Sequence, residues 1–232
     1  MGWLIHHILK HDLLGCQDVV IVAVDDGSTD GTLNVLLELK REVGTKLVVL
    51  NHPRNRGLFG ALKTAFNEIS KHVVEEDVIL TMDADRTHDL SYIPIMIRAC
   101  KGCDVVVASR YVERGAQFGV PWYRVFSSRV VNHLINVFFN LKVKDITSNF
   151  RCYRAGVLLK LLGHYGDQFI ESNGFEGVAE LLIKIHKFGF SICEIPFRLD
   201  YSHRRGKSKL KLVRTLGAYL RLIWRSINAS CN

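Results

Sequence analysis

Short apolar runs alternate with amphipathic stretches along the first half of the chain. The runs lie within residues 19–24, 46–50, 78–82 and 104–108, and polar residues bound each of them, which is typical of buried strands. Apolar residues recur at helical spacing in the stretches between them. Strands and helices in alternation predict an α/β fold with a mostly parallel sheet, flanked by helices and connected by right-handed crossovers.

The second half of the chain predicts longer helices. They are expected over residues 125–141 and 175–187, and a last helix over about 210–227 interleaves apolar residues with Lys and Arg. Such helices either pack an apolar stripe on the core or lie at a membrane surface, and both interpretations stay open. No run of about 18 apolar residues predicts a spanning helix, and no signal peptide is expected.

Two carboxylates follow the third apolar run. Asp83 and Asp85 are one residue apart, so their side chains point to the same side of an extended strand. Two ionised carboxylates repel each other unless a cation lies between them, and a hard divalent cation shared with phosphate oxygens is the usual partner. Asp25 and Asp26 end another predicted strand, at the sheet edge where α/β folds bind ligands. Capping roles would explain an isolated pair, but two acidic strand ends predict a site.

Positive charge dominates the composition. The net charge is +8 and the pI about 9.2, which favours an anionic partner such as a phosphate or a lipid headgroup. A basic run at residues 201–209 contains Gly206 and Ser208, so we expect a loop that folds over phosphate. No nucleic acid is expected as a partner, because no recognised nucleic-acid motif occurs. The cysteines are scattered and are expected to be free thiols in a reducing compartment.

Six motifs lie at residues 24–32, 55–57, 82–85, 109–111, 145–151 and 204–210. In this order they resemble the family 2 glycosyltransferases of GT-A fold, and among these most closely the dolichol-phosphate (polyprenyl-phosphate) mannosyltransferases. The first and third motifs are typical of family 2 as a whole. The fourth and the last point to a polyprenyl-phosphate acceptor. The resemblance covers nearly the whole chain.

The resemblance implies a donor site and a metal site. The implied donor-nucleotide residues are Val24, Asp26, Asp83, Ala84 and Asp85. Asp83 and Asp85 would hold Mg²⁺ or Mn²⁺ on the donor diphosphate, together with Thr87, which stands where the family often has Gln. The metal would neutralise the charge that builds up on the departing nucleoside diphosphate.

The resemblance also implies a site for the acceptor phosphate. The implied acceptor-phosphate residues are Arg110, Arg124, Arg204, Ser208 and Lys209. The implied catalytic residues are Asp85, Arg110, Arg124, Arg204 and Lys209. A phosphate acceptor is largely dianionic at neutral pH, since its second pKa is about 6, so it needs cations that hold it in line with the donor and no strong general base.

The implied activity is metal-dependent, inverting transfer of a sugar, with mannose expected, from GDP-mannose or UDP-glucose to a dolichyl or polyprenyl phosphate. The protein would act as a peripheral protein at the cytoplasmic face of a membrane. Residues 1–209 are expected to form one GT-A-like domain, and residues 210–232 a basic amphipathic helix at the membrane surface.

Some features depart from the family. The chain apparently lacks the usual first strand, Thr87 replaces a Gln, and Asn149 stands where Gly is usual. The missing strand favours a first alternative, a catalytically impaired or truncated member that only binds nucleotide or lipid phosphate, whereas the carboxylate pair and the basic loop favour an active transferase. A second alternative is a family 2 transferase with a polysaccharide or protein acceptor.

Overall fold

The computed structural model describes residues 2–10, 19–85, 87–172, 174–201 and 212–228. The helices are α1 (Gly2–Lys10), α2 (Thr32–Val43), α3 (Gly57–Ile69), α4 (Ile93–Ala99), α5 (Trp122–Phe139), α6 (Ala155–Tyr165), α7 (Gly177–Lys187) and α8 (Leu212–Asn228). The strands are β1 (Ile21–Asp25), β2 (Leu47–Asn51), β3 (Val78–Thr81), β4 (Val105–Ser109), β5 (Ala116–Phe118), β6 (Arg151–Arg154), β7 (Ile192–Pro196) and β8 (Arg198–Asp200). This alternation confirms the predicted α/β fold.

Parallel pairing is the commoner arrangement of these strands. β1 pairs with β2, β4 with β7 and β5 with β8, each pair being parallel. β6 runs antiparallel between β3 and β4 in a four-stranded sheet of order β3-β6-β4-β7. The mostly parallel sheet is confirmed, with β6 as the exception. The hydrophobic pattern does not predict β6, because arginines occupy both of its ends.

Arg151 places a charged side chain of β6 in the protein interior. Its side chain is fully buried. Nη1 donates a hydrogen bond to the carbonyl of Val178 at 2.8 Å, and Nη2 donates to the carbonyl of Ile146 at 2.7 Å. The guanidinium therefore ties the loop before β6 to the first turn of α7, and both segments border the candidate site.

The terminal strands of each sheet have an open edge among the described residues, and β1 and β3 are two of them. β1 pairs only with β2, and β3 pairs only with β6. β4 pairs on both edges and is buried throughout, whereas four of the five residues of β1 are only half-buried. Backbone hydrogen bonds near an exposed edge open more easily than those in a central strand. The expected lack of a first strand stays a prediction.

An extended core joins α3, α5, α6 and α7 to the four-stranded sheet. α8 adds Tyr219, Leu222 and Ile223 to this same core. The division into residues 1–209 and 210–232 stays a prediction, but the described part of the last helix packs on the domain. Among the described residues, no helix is both long and apolar enough to span a membrane.

Cys103 and Cys193 form a disulfide, with their Cα atoms 6.2 Å apart. The expectation of free thiols is therefore wrong for this pair. Cys193 lies in β7, and Cys103 lies just before β4, so the parallel pairing of β4 with β7 brings these distant residues together. Cys100 and Cys152 are free and buried.

Candidate active site

The loop after β3 presents the two carboxylates. Oδ1 of Asp83 accepts a hydrogen bond from the side-chain amide of Asn149 at 3.3 Å, and the Thr81 hydroxyl donates to the Asn149 carbonyl at 2.9 Å. Oδ1 of Asp85 accepts hydrogen bonds from the N–H and the hydroxyl of Thr87, at 3.1 and 2.6 Å. Asn149, which departs from the family pattern, therefore orients Asp83, and Thr87 closes a turn on Asp85.

His88 fixes the backbone of the same loop. Its Nδ1 accepts a hydrogen bond from the N–H of Asp83 at 3.1 Å, and its ring stacks on Phe150 with the centroids 4.6 Å apart. Because Nδ1 is the acceptor, the neutral ring carries its proton on Nε2. Burial lowers the pKa of His88 and outweighs the carboxylates of Asp83 and Asp85, which raise it, so the imidazole is neutral at neutral pH.

Arg110, directly after β4, forms a bidentate ion pair with Asp145. Nε and Nη2 of Arg110 donate to the two carboxylate oxygens, both at 2.7 Å, and the N–H of Arg110 donates to the same carboxylate at 2.9 Å. Nη2 also donates to the Thr147 hydroxyl at 2.8 Å. Burial opposes the charge, but Asp145 outweighs burial and raises the pKa of Arg110, which stays protonated. Asp145 thus orients the guanidinium and balances its charge.

The first turns of α5 present a second arginine and a hydroxyl. Nη1 of Arg124 donates to the Tyr201 hydroxyl at 3.2 Å, and the guanidinium lies 5.5 Å from the centre of the Tyr201 ring. Ser128, one turn further on, has its hydroxyl 2.6 Å from that of Thr147. Ser128, Thr147 and the two arginines all line one cavity.

Asp26 braces the loop after β2. It accepts hydrogen bonds from Nδ1 of His52 at 2.7 Å and from the N–H groups of Arg56 and Gly57, both at 2.8 Å. Burial alone would raise the pKa of Asp26, but these hydrogen bonds outweigh burial and hold its pKa below the ordinary value. The predicted contact of Asp26 with a nucleotide stays a prediction, beside this bracing role that the sequence did not reveal.

The cavity has a volume of about 170 Å³ and two kinds of wall. Its polar residues include Asp83, Thr87, His88, Arg110, Arg124, Ser127, Ser128, Thr147, Ser148 and Asn149. Its apolar residues include Leu58, Val120, Val131, Phe175, Val178, Phe197, Leu199 and Leu216. One carboxylate and two guanidinium groups thus meet an apolar wall, which suits a ligand with a phosphate at one end and a hydrocarbon at the other.

The oxygen atoms of Asp83, Asp85 and Thr87 fit a magnesium or manganese ion. Carboxylate and hydroxyl oxygens are hard ligands of the kind these ions prefer. The Asn149 amide hydrogen-bonds only Oδ1 of Asp83. The Thr87 hydroxyl donates a hydrogen bond to Asp85, so the lone pairs of the hydroxyl oxygen point away from that bond. Among the described residues no cluster of three or more His, Cys, Asp or Glu side chains occurs.

The structure brings together part of the predicted site. Asp83, Thr87, Arg110 and Arg124 line the cavity, whereas Val24, Asp26, Ala84 and Asp85 do not. The predicted residues Arg204, Ser208 and Lys209 lie outside the described residues. Sequence reasoning assigned no role to Ser128, Asp145, Thr147 or His88. The motif at residues 145–151 contains Asp145 and Thr147, and His88 lies three residues after Asp85.

The geometry agrees with the comparison to known families. The sequence model for glycosyl transferase family 2 matches residues 4–162, which is more than half of the chain. The chain belongs to glycosyl transferase family 2. The predicted family 2 glycosyltransferase domain is thereby confirmed, and the α/β architecture agrees with a GT-A fold.

Curated relatives align along most of the chain. A polyprenol monophosphomannose synthase from Mycolicibacterium smegmatis is 29% identical over 84% of this chain and 71% of its own length. A dolichol-phosphate mannosyltransferase from Pyrococcus furiosus is 34% identical over 88% of this chain and 54% of its own length. An undecaprenyl-phosphate 4-deoxy-4-formamido-L-arabinose transferase from Edwardsiella ictaluri is 28% identical, over 93% and 62% respectively. The chain therefore spans little more than half the length of two of these relatives.

Proposed function

We propose that the protein transfers a sugar, with mannose expected, from a nucleotide sugar to a polyprenyl phosphate. The cavity carries this proposal, because Arg110, Arg124 and Asp83 line its polar side while Phe175 and Leu216 contribute to its apolar wall. The names of the three relatives support it, since each name refers to a polyprenol, a dolichol phosphate or an undecaprenyl phosphate.

The acceptor phosphate lies, on this proposal, between the two arginines and the Ser128 hydroxyl, with its isoprenoid chain along the apolar wall. The phosphate is largely dianionic at neutral pH, because its second pKa is about 6, and can attack without losing a proton. His88 is unsuited to the role of general base, because Nδ1 already accepts the Asp83 N–H and Nε2 carries the proton. Holding the phosphate in line with the anomeric carbon is then the main task of Arg110 and Arg124.

The donor diphosphate lies, on this proposal, at the loop after β3. Asp83, Asp85 and Thr87 are the residues that would hold Mg²⁺ or Mn²⁺, which as a Lewis acid would offset charge on the leaving nucleoside diphosphate. Asn149 and His88 keep Asp83 in place through its carboxylate and its N–H. Val24, Ala84 and Asp26 are proposed on the base and ribose side, and Arg204, Ser208 and Lys209 are proposed to close over the phosphates.

Two packed helices support peripheral binding to a membrane surface. α5 and α8 contact each other. α5 exposes Trp122 and Phe126, and α8 exposes Leu220 and Trp224. Exposed large apolar side chains beside arginines are typical of helices that lie in the headgroup region. Placement at the cytoplasmic face stays a prediction.

Binding of a short-chain prenyl phosphate, measured by calorimetry, tests the acceptor site without requiring turnover. Arg124→Gln should weaken binding at least tenfold, which corresponds to about 1.4 kcal/mol, because it removes a charged hydrogen-bond donor. The matched control Arg98→Gln changes an exposed arginine on α4 and should leave the affinity unchanged. Equal binding by wild type and Arg124→Gln, or equal binding of the prenyl alcohol, would show that the cavity does not recognise the phosphate.

The alternative of lipid-phosphate binding without turnover rests on one observation. Val24 and Asp26 lie outside the cavity lining, and Asp26 is occupied with the loop after β2. A protein of this kind would bind the prenyl phosphate with the Arg124 dependence described above and yet give no transfer with any nucleotide sugar. A transferase would show both.

A further inference from the structure

A second cavity, of about 440 Å³, lies between α5 and the segments that follow β4. Its volume falls in the range of roughly 300–1,000 Å³ that small-molecule sites occupy. Arg110 lines both cavities, but the rest of the second lining is different. We call it the α5 basic pocket, defined by Tyr111, Arg129, Asn132, His133 and Lys144.

The α5 basic pocket is lined by basic side chains. Arg129, His133 and Lys144 are exposed, and no Asp or Glu contributes to the lining. Within the described ranges, none of these three side chains forms an ion pair. The Tyr111 ring holds the Arg129 guanidinium 5.7 Å from its centre and that of Arg110 at 5.2 Å. The pocket therefore favours an anion, and in the part of the chain that the structure describes the Arg110 charge is the only one of the pocket's charges that a carboxylate balances.

Asn132 adds a second, independent sign of a ligand. Its side chain is 5% exposed, and neither its amide nitrogen nor its amide oxygen has a hydrogen-bond partner among the described residues. The neighbouring Asn136, by contrast, donates to the carbonyls of Asn132 and Val143 and accepts from the N–H of Val143. Buried amides without partners are costly and rare in folded proteins. A ligand that supplies both an acceptor and a donor would satisfy Asn132.

We propose that the α5 basic pocket binds an organic phosphate that carries a hydroxyl group next to the phosphate. The phosphate oxygens accept from Arg129, Lys144 and the Asn132 amide, and the ligand hydroxyl donates to the Asn132 oxygen. A soluble polyol phosphate and the headgroup of a hydroxyl-bearing anionic phospholipid share this chemistry. The site goes beyond the proposed transfer reaction, because Arg129 and Asn132 do not line the first cavity.

The exposed face of α5 makes a lipid source testable. One face of α5 carries residues that are spaced three or four positions apart. These residues are Trp122, Phe126, Arg129, His133 and Val137. Trp122, Phe126 and Val137 are all exposed. A headgroup in the pocket would therefore be flanked by apolar side chains that can contact acyl chains.

The test uses glycerol 3-phosphate in calorimetry, and vesicles of phosphatidylglycerol or phosphatidylcholine in flotation. Wild type should bind glycerol 3-phosphate at least tenfold more tightly than inorganic phosphate, or bind phosphatidylglycerol vesicles alone. The first outcome indicates a soluble ligand and the second a lipid headgroup. Arg129→Gln and Asn132→Leu should each weaken the observed binding at least tenfold. Arg41→Gln, which removes the same charge from an exposed position on α2, should not.

Asn132→Leu separates a ligand site from a structural role. Removing an unpartnered buried amide should leave the urea midpoint of unfolding unchanged or raise it, while binding falls. Binding that is equal for Arg129→Gln and Arg41→Gln overturns the proposal. It is also overturned if inorganic phosphate binds as tightly as glycerol 3-phosphate and the protein does not prefer phosphatidylglycerol vesicles. Because Arg129 is exposed, its variant keeps the test decisive if Asn132→Leu fails to fold.

Discussion

The ion pair between Arg110 and Asp145 predicts a large loss of stability when Asp145 is changed to Asn. Asp145 is fully inaccessible, the Arg110 side chain is 15% exposed, and the carboxylate accepts three hydrogen bonds from Arg110. The substitution keeps the shape but removes the charge and turns one acceptor into a donor that faces the guanidinium. Breaking a buried pair from one side costs about 3–5 kcal/mol. That is a large share of a typical stability of about 5–15 kcal/mol.

Urea unfolding of Asp145→Asn, Arg110→Gln and the double variant measures this coupling. The double variant should be more stable than the sum of the single changes predicts, by about 2 kcal/mol or more, because it no longer buries an unpaired charge. Glu68→Gln, which removes the carboxylate partner of the exposed Lys71 and His72, is the control and should not shift the midpoint. Additive single and double changes would refute the reasoning, since they would mean that the two side chains are not coupled.

Three further predictions concern the surroundings of the site. Because the folded-state pKa of Asp26 is lowered from 3.8, its ionised form stabilises the fold above that value, and this contribution is lost as the pH falls through the lower folded-state pKa. Asp26→Asn should therefore flatten the acid side of the curve of melting temperature against pH, and an unchanged curve would contradict the bracing role. His88→Phe keeps a ring on Phe150 but leaves the Asp83 N–H unpaired, so urea titration should show a loss of about 1–3 kcal/mol, and an unaltered midpoint would remove that bond from the account. Hydrogen exchange should be slower in β4 than in β1, since β4 is buried and paired on both edges; equal protection would mean that the open edge of β1 has no energetic consequence.

Local patterns were enough to predict the framework of the sheet. β1, β2, β3 and β4 are apolar runs bounded by polar residues, and the carboxylates at the ends of β1 and β3 follow from the same pattern. β6 escaped prediction because its end residues are arginines, and Arg151 is buried only because carbonyls of Ile146 and Val178 surround it. The Val178 carbonyl lies 27 positions further along the chain, and no local periodicity reveals it.

The partners of site residues were harder to predict than the residues themselves. Arg110 was predicted, but Asp145 lies 35 positions further along and meets it only because β6 inserts beside β4. Asp26 was predicted as a nucleotide contact, whereas its partner His52 comes from the next strand end. Sequence spacing indicates which groups reach the sheet edge, but tertiary pairing decides whether each charge is left for a ligand.

Transfer of radiolabelled sugar to a polyprenyl phosphate tests the central claim most directly. The purified protein, shown by circular dichroism to be folded, is given GDP-mannose or UDP-glucose with Mn²⁺ or with EDTA. The proposal predicts a lipid-linked sugar phosphate from one donor with Mn²⁺, and its loss with EDTA or in Asp85→Asn. No product from either donor with a folded protein that still binds prenyl phosphate would contradict the transferase and favour binding without turnover.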